Sequence, residues 1–164
     1  MVLESVTKME RDALLIHSLF IIICLIVLII PIDNVIGIKL FILVIIYNVT
    51  IALVGIWRKY EEWVNLWLFA FILSLFQVFP DWYLAVQLET LAFPEDGLFK
   101  IGPVSGYMAG LWAIPIFMIL FIGQRFQERK TRSIAYIIVA LMSLLVFGMS
   151  ELTMWSLGSW HAQN

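Results

Sequence analysis

Apolar residues in this chain run together in long blocks and do not alternate with polar ones in the period of a strand or of a half-buried helix. Four blocks, at residues 13–31, 35–57, 101–123 and 134–155, each supply about the 20 mostly apolar residues that an α-helix needs to cross a bilayer. A fifth block, 63–79, is about the minimum length and stops at Pro80-Asp81. Beyond it, residues 82–93 are apolar but broken by Gln87 and Glu89, with Trp82 and Val86, and Leu84, Leu88 and Leu91, at helical spacings. The pattern predicts an all-α integral membrane bundle, a single transmembrane domain over residues 1–164 with about five spans. An interfacial or re-entrant helix is expected between the third and fourth spans, in an outer segment at 80–100. The alternative for that stretch is one long tilted helix kinked at Pro80. The first block exceeds the 7–15 residues of a signal-peptide core and no small-residue cleavage site follows it, so it is expected to remain as a span. The ending, Trp160-His161-Ala162-Gln163-Asn164, leaves room for a sixth span after residue 164.

Composition excludes the soluble alternative. Of 164 residues, 63% are hydrophobic and 13% charged, and mean hydropathy is +1.00. Soluble domains run at roughly 45–50% apolar and about 25% charged, and a fold of this size has too little interior to hide the excess. Ten basic and twelve acidic residues give a net charge of -2, which offers no field for nucleic acid. What the charges do set is orientation. Five spans put Lys8, Arg11, Arg58, Lys59, Arg125, Arg129, Lys130 and Arg132 on one side and leave Lys39 and Lys100 on the other. By the positive-inside rule the N-terminus is then cytoplasmic and the C-terminus outside. Trp57, Tyr60, Trp63 and Tyr136 would mark the inner interface; Trp82, Tyr83, Tyr107, Trp155 and Trp160 would mark the outer one.

Candidate chemistry collects on the outer side. Ionisable groups at membrane depth are costly, so each is a functional candidate. Glu151 falls about one turn inside the last span, and Asp33, Asp81, Glu89, Glu95 and Asp96 share its side. Two motifs stand out, Phe79-Pro80-Asp81-Trp82 and Phe93-Pro94-Glu95-Asp96-Gly97. As plain turns they need no further role, since Pro, Asp and Gly each suit one turn position. As a site they would bring Asp81, Glu95 and Asp96 toward Glu151 as acid/base groups over an outer-leaflet cavity. Partners for Glu151 are expected among Asp81, Ser105, Tyr107 and Lys100.

In the fourth span Gly102, Gly106 and Gly110 recur every four residues beside Ser105, Ala109 and Ala113. That spacing predicts a helix-packing stripe, at the centre of the bundle or at a homodimer seam. Pro115 should kink the same helix near Leu111. Asn48 is expected to hydrogen-bond across a helix pair. His17 is expected to be an interfacial hydrogen-bonded histidine, and His161 a solvated one. Cys24 stands alone in an apolar block, so neither an intramolecular disulfide nor a zinc cluster can form. Metalloprotease, phosphate-loop, nucleophile-elbow and paired-cysteine motifs do not occur. The residues leave any metal or cofactor unknown.

From Tyr47-Asn48 through Glu62-Trp63, Leu66-Trp67, Phe79-Pro80-Asp81-Trp82, Phe93-Pro94 and Ile101-Gly102 to Tyr107-Met108-Ala109-Gly110-Leu111-Trp112, the chain resembles a group of small bacterial polytopic membrane proteins of no assigned function. That resemblance implies an inner (cytoplasmic) membrane location. Glu95-Asp96-Gly97-Leu98-Phe99 is fainter in its likeness to lycopene-cyclase-type transmembrane proteins, whose acidic residues protonate an isoprenoid; the paired repeats of that family are not visible. Three functions compete. One is an enzyme on a lipid or isoprenoid in the bilayer, using Asp81, Glu95, Asp96 and Glu151. Another is a non-catalytic subunit that joins a membrane protein partner, or a homo-oligomer, through the fourth span. The third is a small transporter or cation-binding protein.

Overall fold

A computed structural model describes residues 6–30 and 36–163, which divide into two compact units, Met1–Ile32 and Asp33–Asn164. Asp33 lies outside the described residues. The first unit is one helix, α1 (Lys8–Ile29). Its start is set by a capping box: Glu10 N–H donates to the Thr7 hydroxyl and the Glu10 carboxylate accepts from Thr7 N–H. A His17 ring nitrogen lies 2.8 Å from the Ala13 carbonyl one turn back.

The second unit contains α2 (Ile36–Arg58), α3 (Glu61–Val86), α4 (Met108–Leu111), α5 (Ala113–Arg129) and α6 (Arg132–Ser156). Four two-residue strands complete it: β1 (Leu91–Ala92), β2 (Lys100–Ile101), β3 (Val104–Ser105) and β4 (His161–Ala162). Among the described residues five helical stretches are long and apolar enough to cross a membrane, with α4 and α5 counting together as Met108–Arg129. The protein is therefore a multi-pass helical membrane protein. α3 packs on α2 and on α5, and α5 packs in turn on α6.

The short connections at one end of this unit, where Arg58, Lys59, Arg129, Lys130 and Arg132 lie, follow from cap chemistry. After α2, Tyr60 N–H donates to Gly55 O and Lys59 N–H to Ile56 O, with Lys59 at φ 57°. That is a Schellman cap built without glycine. The same cap ends α6 with its usual residue, Gly158 at φ 67°, as Ser159 N–H donates to Met154 O and Gly158 N–H to Trp155 O. Beside the basic connections Arg125 binds Glu62 and, at 2.8 Å, Glu128.

Three expectations change. No separate helix forms over 82–93, because α3 continues through Pro80 to Val86, the alternative of a single long helix. A proline there costs only the hydrogen bond to the carbonyl four residues back, which a helix in lipid tolerates. The fourth crossing starts at Met108 and not at 101, so Gly102, Gly106 and Gly110 do not form one helical stripe. Gly102, at φ 64°, and Pro103 make the two-residue turn between β2 and β3. Positive φ at the first turn position followed by proline, whose φ is fixed near -65°, suits a type II′ hairpin and no helix. Gly106 follows β3, its Cα against the Phe99 ring, and only Gly110 packs helix on helix, against Val44 of α2. Finally, Trp63 is no interface anchor but the centre of the core, fully buried and 5.4 Å from Phe117 and 5.8 Å from Phe121 between ring centroids. Tyr107 is likewise fully buried.

Other expectations find their geometry. The helix interruption falls at Trp112, between α4 and α5, where Pro115 has no N–H to offer Leu111. Asn48 joins three helices: its amide donates to Val44 O at 2.8 Å and Gly110 O at 3.2 Å, and its oxygen accepts from the Trp67 indole at 3.1 Å.

Candidate functional site

The end of the second unit opposite the basic connections is closed by residues 87–107 and 157–163. β1 and β4 pair antiparallel, Leu91 with Ala162 and Ala92 with His161, and Gln163 N–H donates to Thr90 O. His161 is exposed on that ribbon. Below it, the Tyr107 hydroxyl donates to the Ser159 carbonyl at 3.2 Å. Burial pushes the Tyr107 phenol up to about 12, so it remains a donor.

The candidate carboxyl groups separate into three environments. Glu95 is solvent-exposed, 3.6 Å from Lys100 Nζ; Lys100 itself is spent on the Phe93 and Pro94 carbonyls at 2.8 and 2.7 Å. Asp96 is fully buried. Its carboxyl lies against the Cα of Gly37 in the first turn of α2, accepts from the Ser105 hydroxyl at 2.5 Å and from Leu98 N–H at 3.0 Å. Its own carbonyl takes Gly37 N–H. Asp96 is thus committed on every side to closing the end of the bundle over α2.

Asp81 is different. It sits in the last turns of α3, 6% exposed, with Oδ2 buried and without a hydrogen-bond partner. The groups that act on it are the Trp112 indole N–H and the Glu151 carboxyl. Trp112 Nε1 faces this carboxyl outside hydrogen-bond geometry and is itself unpartnered. Glu151 comes from α6. The structure therefore sets Asp81 and Glu151 within electrostatic range of each other, while Glu95 and Asp96 are held elsewhere in the same end.

One turn further into the bilayer lies an open cleft of about 400 Å³ lined by Leu73 and Gln77 of α3, Trp112, Ile116, Ile119 and Leu120 of the fourth crossing, and Phe147 of α6. Gln77 stands four residues before Asp81 and Phe147 four residues before Glu151, so each carboxyl continues a helix face that lines the cleft. Trp112 belongs to both, its ring lining the cleft and its N–H turned to Asp81. Sequence reasoning expected a cavity here but passed over Trp112 and the apolar residues that line it; the matching i, i+4 pairs Gln77/Asp81 and Phe147/Glu151 were the available signal. Among the described residues no three His, Cys, Asp or Glu side chains converge as a metal site requires.

No curated protein and no solved structure matches the chain. Residues 78–164, which run from the turn of α3 that carries Asp81 through α6 to the chain end, match a family described as a domain of unknown function (DUF6989), and the chain belongs to that family.

Proposed function

We propose that this protein binds a lipid or isoprenoid chain within the bilayer and acts on it by carboxyl acid/base chemistry, with Asp81 as the proton-handling group and Glu151 as its neighbour. One observation carries this reading: a buried Asp81 oxygen without a partner at the head of an apolar, open cleft. A buried polar atom left unsatisfied costs about 1–3 kcal/mol, and such a cost is retained where the group has another task. The cleft walls offer dispersion contacts to a chain, and among the described residues Gln77 and Trp112 are the polar lining groups. The same observation narrows the acid/base candidates from four carboxyls to Asp81 and Glu151. This reading is favoured over a subunit docking through glycines of the fourth span because those glycines face three different neighbours and do not share one helix face.

The test is Asp81→Asn, which keeps shape and removes the titrating proton. Cells making the parent protein should differ from empty-vector cells in at least one long-chain lipid, and Asp81→Asn at equal folded yield should abolish that difference. Lipid profiles that match between parent and vector would reject catalysis.

We also propose that the membrane is a bacterial inner membrane, with the connections at Lys59 and Lys130 in the cytoplasm. Arg58, Lys59, Arg125, Arg129, Lys130 and Arg132 support this by the positive-inside rule, and five crossings put the N-terminus on the same side. A cysteine at Gln127 should stay unlabelled by an impermeant reagent in intact cells; labelling from outside would overturn the orientation.

A further inference from the structure

The polar groups around the head of the cleft restrict what can lie there. Two are carboxyls, Asp81 and Glu151; one is a neutral donor without an acceptor, Trp112 Nε1–H; one is an amide, Gln77. Among the described residues no Lys, Arg or His lines the cleft. The cation at this end of the bundle whose contacts are defined, Lys100, is turned to the Phe93 and Pro94 carbonyls and to Glu95.

A phosphate or diphosphate head would therefore meet two carboxyls and no cation, where buried anions need Arg or Lys. An ammonium head would satisfy the carboxyls but, having donors only, would leave the Trp112 N–H unpaired. A hydroxyl has one donor and free acceptor capacity, and the site presents one orphaned acceptor facing one orphaned donor.

We propose that the ligand of this site is an uncharged long-chain lipid ending in a hydroxyl, which donates to Asp81 Oδ2 and accepts from Trp112 Nε1–H while its chain lies between α3, α5 and α6. This rests on the lipid-binding reading above and adds the chemical class of the head group. Selectivity comes from the wrong heads leaving a buried group unpaired or setting like charges together.

The test uses the whole protein in nanodiscs and three probes with one chain: farnesol, farnesyl phosphate and farnesylamine. The readout is the rise in unfolding temperature over a series of ligand concentrations. Farnesol should bind about tenfold or more tightly than either charged analogue. Trp112→Phe, which keeps the ring wall and removes the donor, should weaken farnesol by about tenfold and the amine hardly at all. Tighter binding of the phosphate or the amine than of the alcohol overturns the assignment on the unsubstituted protein, so the answer does not depend on the variant folding. A cleft-filling change, Ile116→Trp, separates the two levels of the argument. If it abolishes binding of three probes that otherwise bind equally, the cleft reading stands and the hydroxyl assignment falls. If no probe binds in a manner sensitive to Ile116→Trp, both fall.

Discussion

Replacing Asp96 with alanine should lower stability by about 3–4 kcal/mol, while the same change at the adjacent Glu95 should cost less than about 0.5 kcal/mol. The two residues share a motif but not an environment. Asp96→Ala strands the Ser105 hydroxyl and the Leu98 N–H, each worth about 1–3 kcal/mol when left unsatisfied. It also empties the space against Gly37. Glu95 loses only a 3.6 Å contact to Lys100 from an exposed position, where ion pairs contribute little. Thermal or denaturant unfolding of purified protein in detergent measures both. The double change Asp96→Ala with Ser105→Ala should cost less than the sum of the singles, since the second removes a group the first left stranded. An Asp96→Ala protein within about 1 kcal/mol of the parent would show that this carboxyl does not hold the end of the bundle.

Gly106→Leu should destabilise by about 2–3 kcal/mol through overpacking. A Cβ at Gly106 would meet the Phe99 ring at 2.5 Å, and turning that half-exposed ring away breaks its edge-on contact with Phe41, 5.6 Å between centroids. Phe99→Ala in the same chain should therefore return part of the loss. The contrast is Gly102→Ala, where the backbone itself sits at φ 64°: a Cβ would also press on the Trp82 ring at 3.0 Å, but about 1 kcal/mol of the cost is conformational and remains if that ring is removed. Failure of Phe99→Ala to rescue Gly106→Leu would remove the ring as the cause.

That pair of glycines also shows where sequence reading stops. Spans are legible because lipid imposes one demand on every residue of a crossing, and a run of about 20 apolar residues meets it whatever the neighbours are. Hence the five crossings follow from the chain alone. Small residues four apart impose no such single demand. Gly102, Gly106 and Gly110 have the spacing of a helix face, yet they serve a hairpin turn, a ring contact and a helix contact in turn. Only the pairing of Gly102 with Pro103, which suits a type II′ turn, argues locally for a hairpin. Pro80 is ambiguous in the same way, since a proline ends a helix in water more readily than in a bundle that can hold the freed carbonyl.

The acidic site was half legible. Hydropathy placed Asp81, Glu95, Asp96 and Glu151 at one end, because a carboxyl cannot be carried deep into lipid without cost. Which of them is sealed, which is solvated and which faces a cleft depends on tertiary packing of residues far apart in sequence. Trp63 makes the same point in the core: an aromatic near a span end suits an interfacial belt or a buried cluster equally, and Phe117 and Phe121 on another helix decide it.

The β1–β4 ribbon has a consequence for how the protein is made. Its two strands flank the last two membrane crossings, so during synthesis β1 waits for a partner until both have been inserted. Until α6 has followed, β1 lacks its pairing edge and the Tyr107 hydroxyl lacks the Ser159 carbonyl it donates to. This end of the protein therefore closes last, and a stalled final crossing leaves β1 as an unpaired edge.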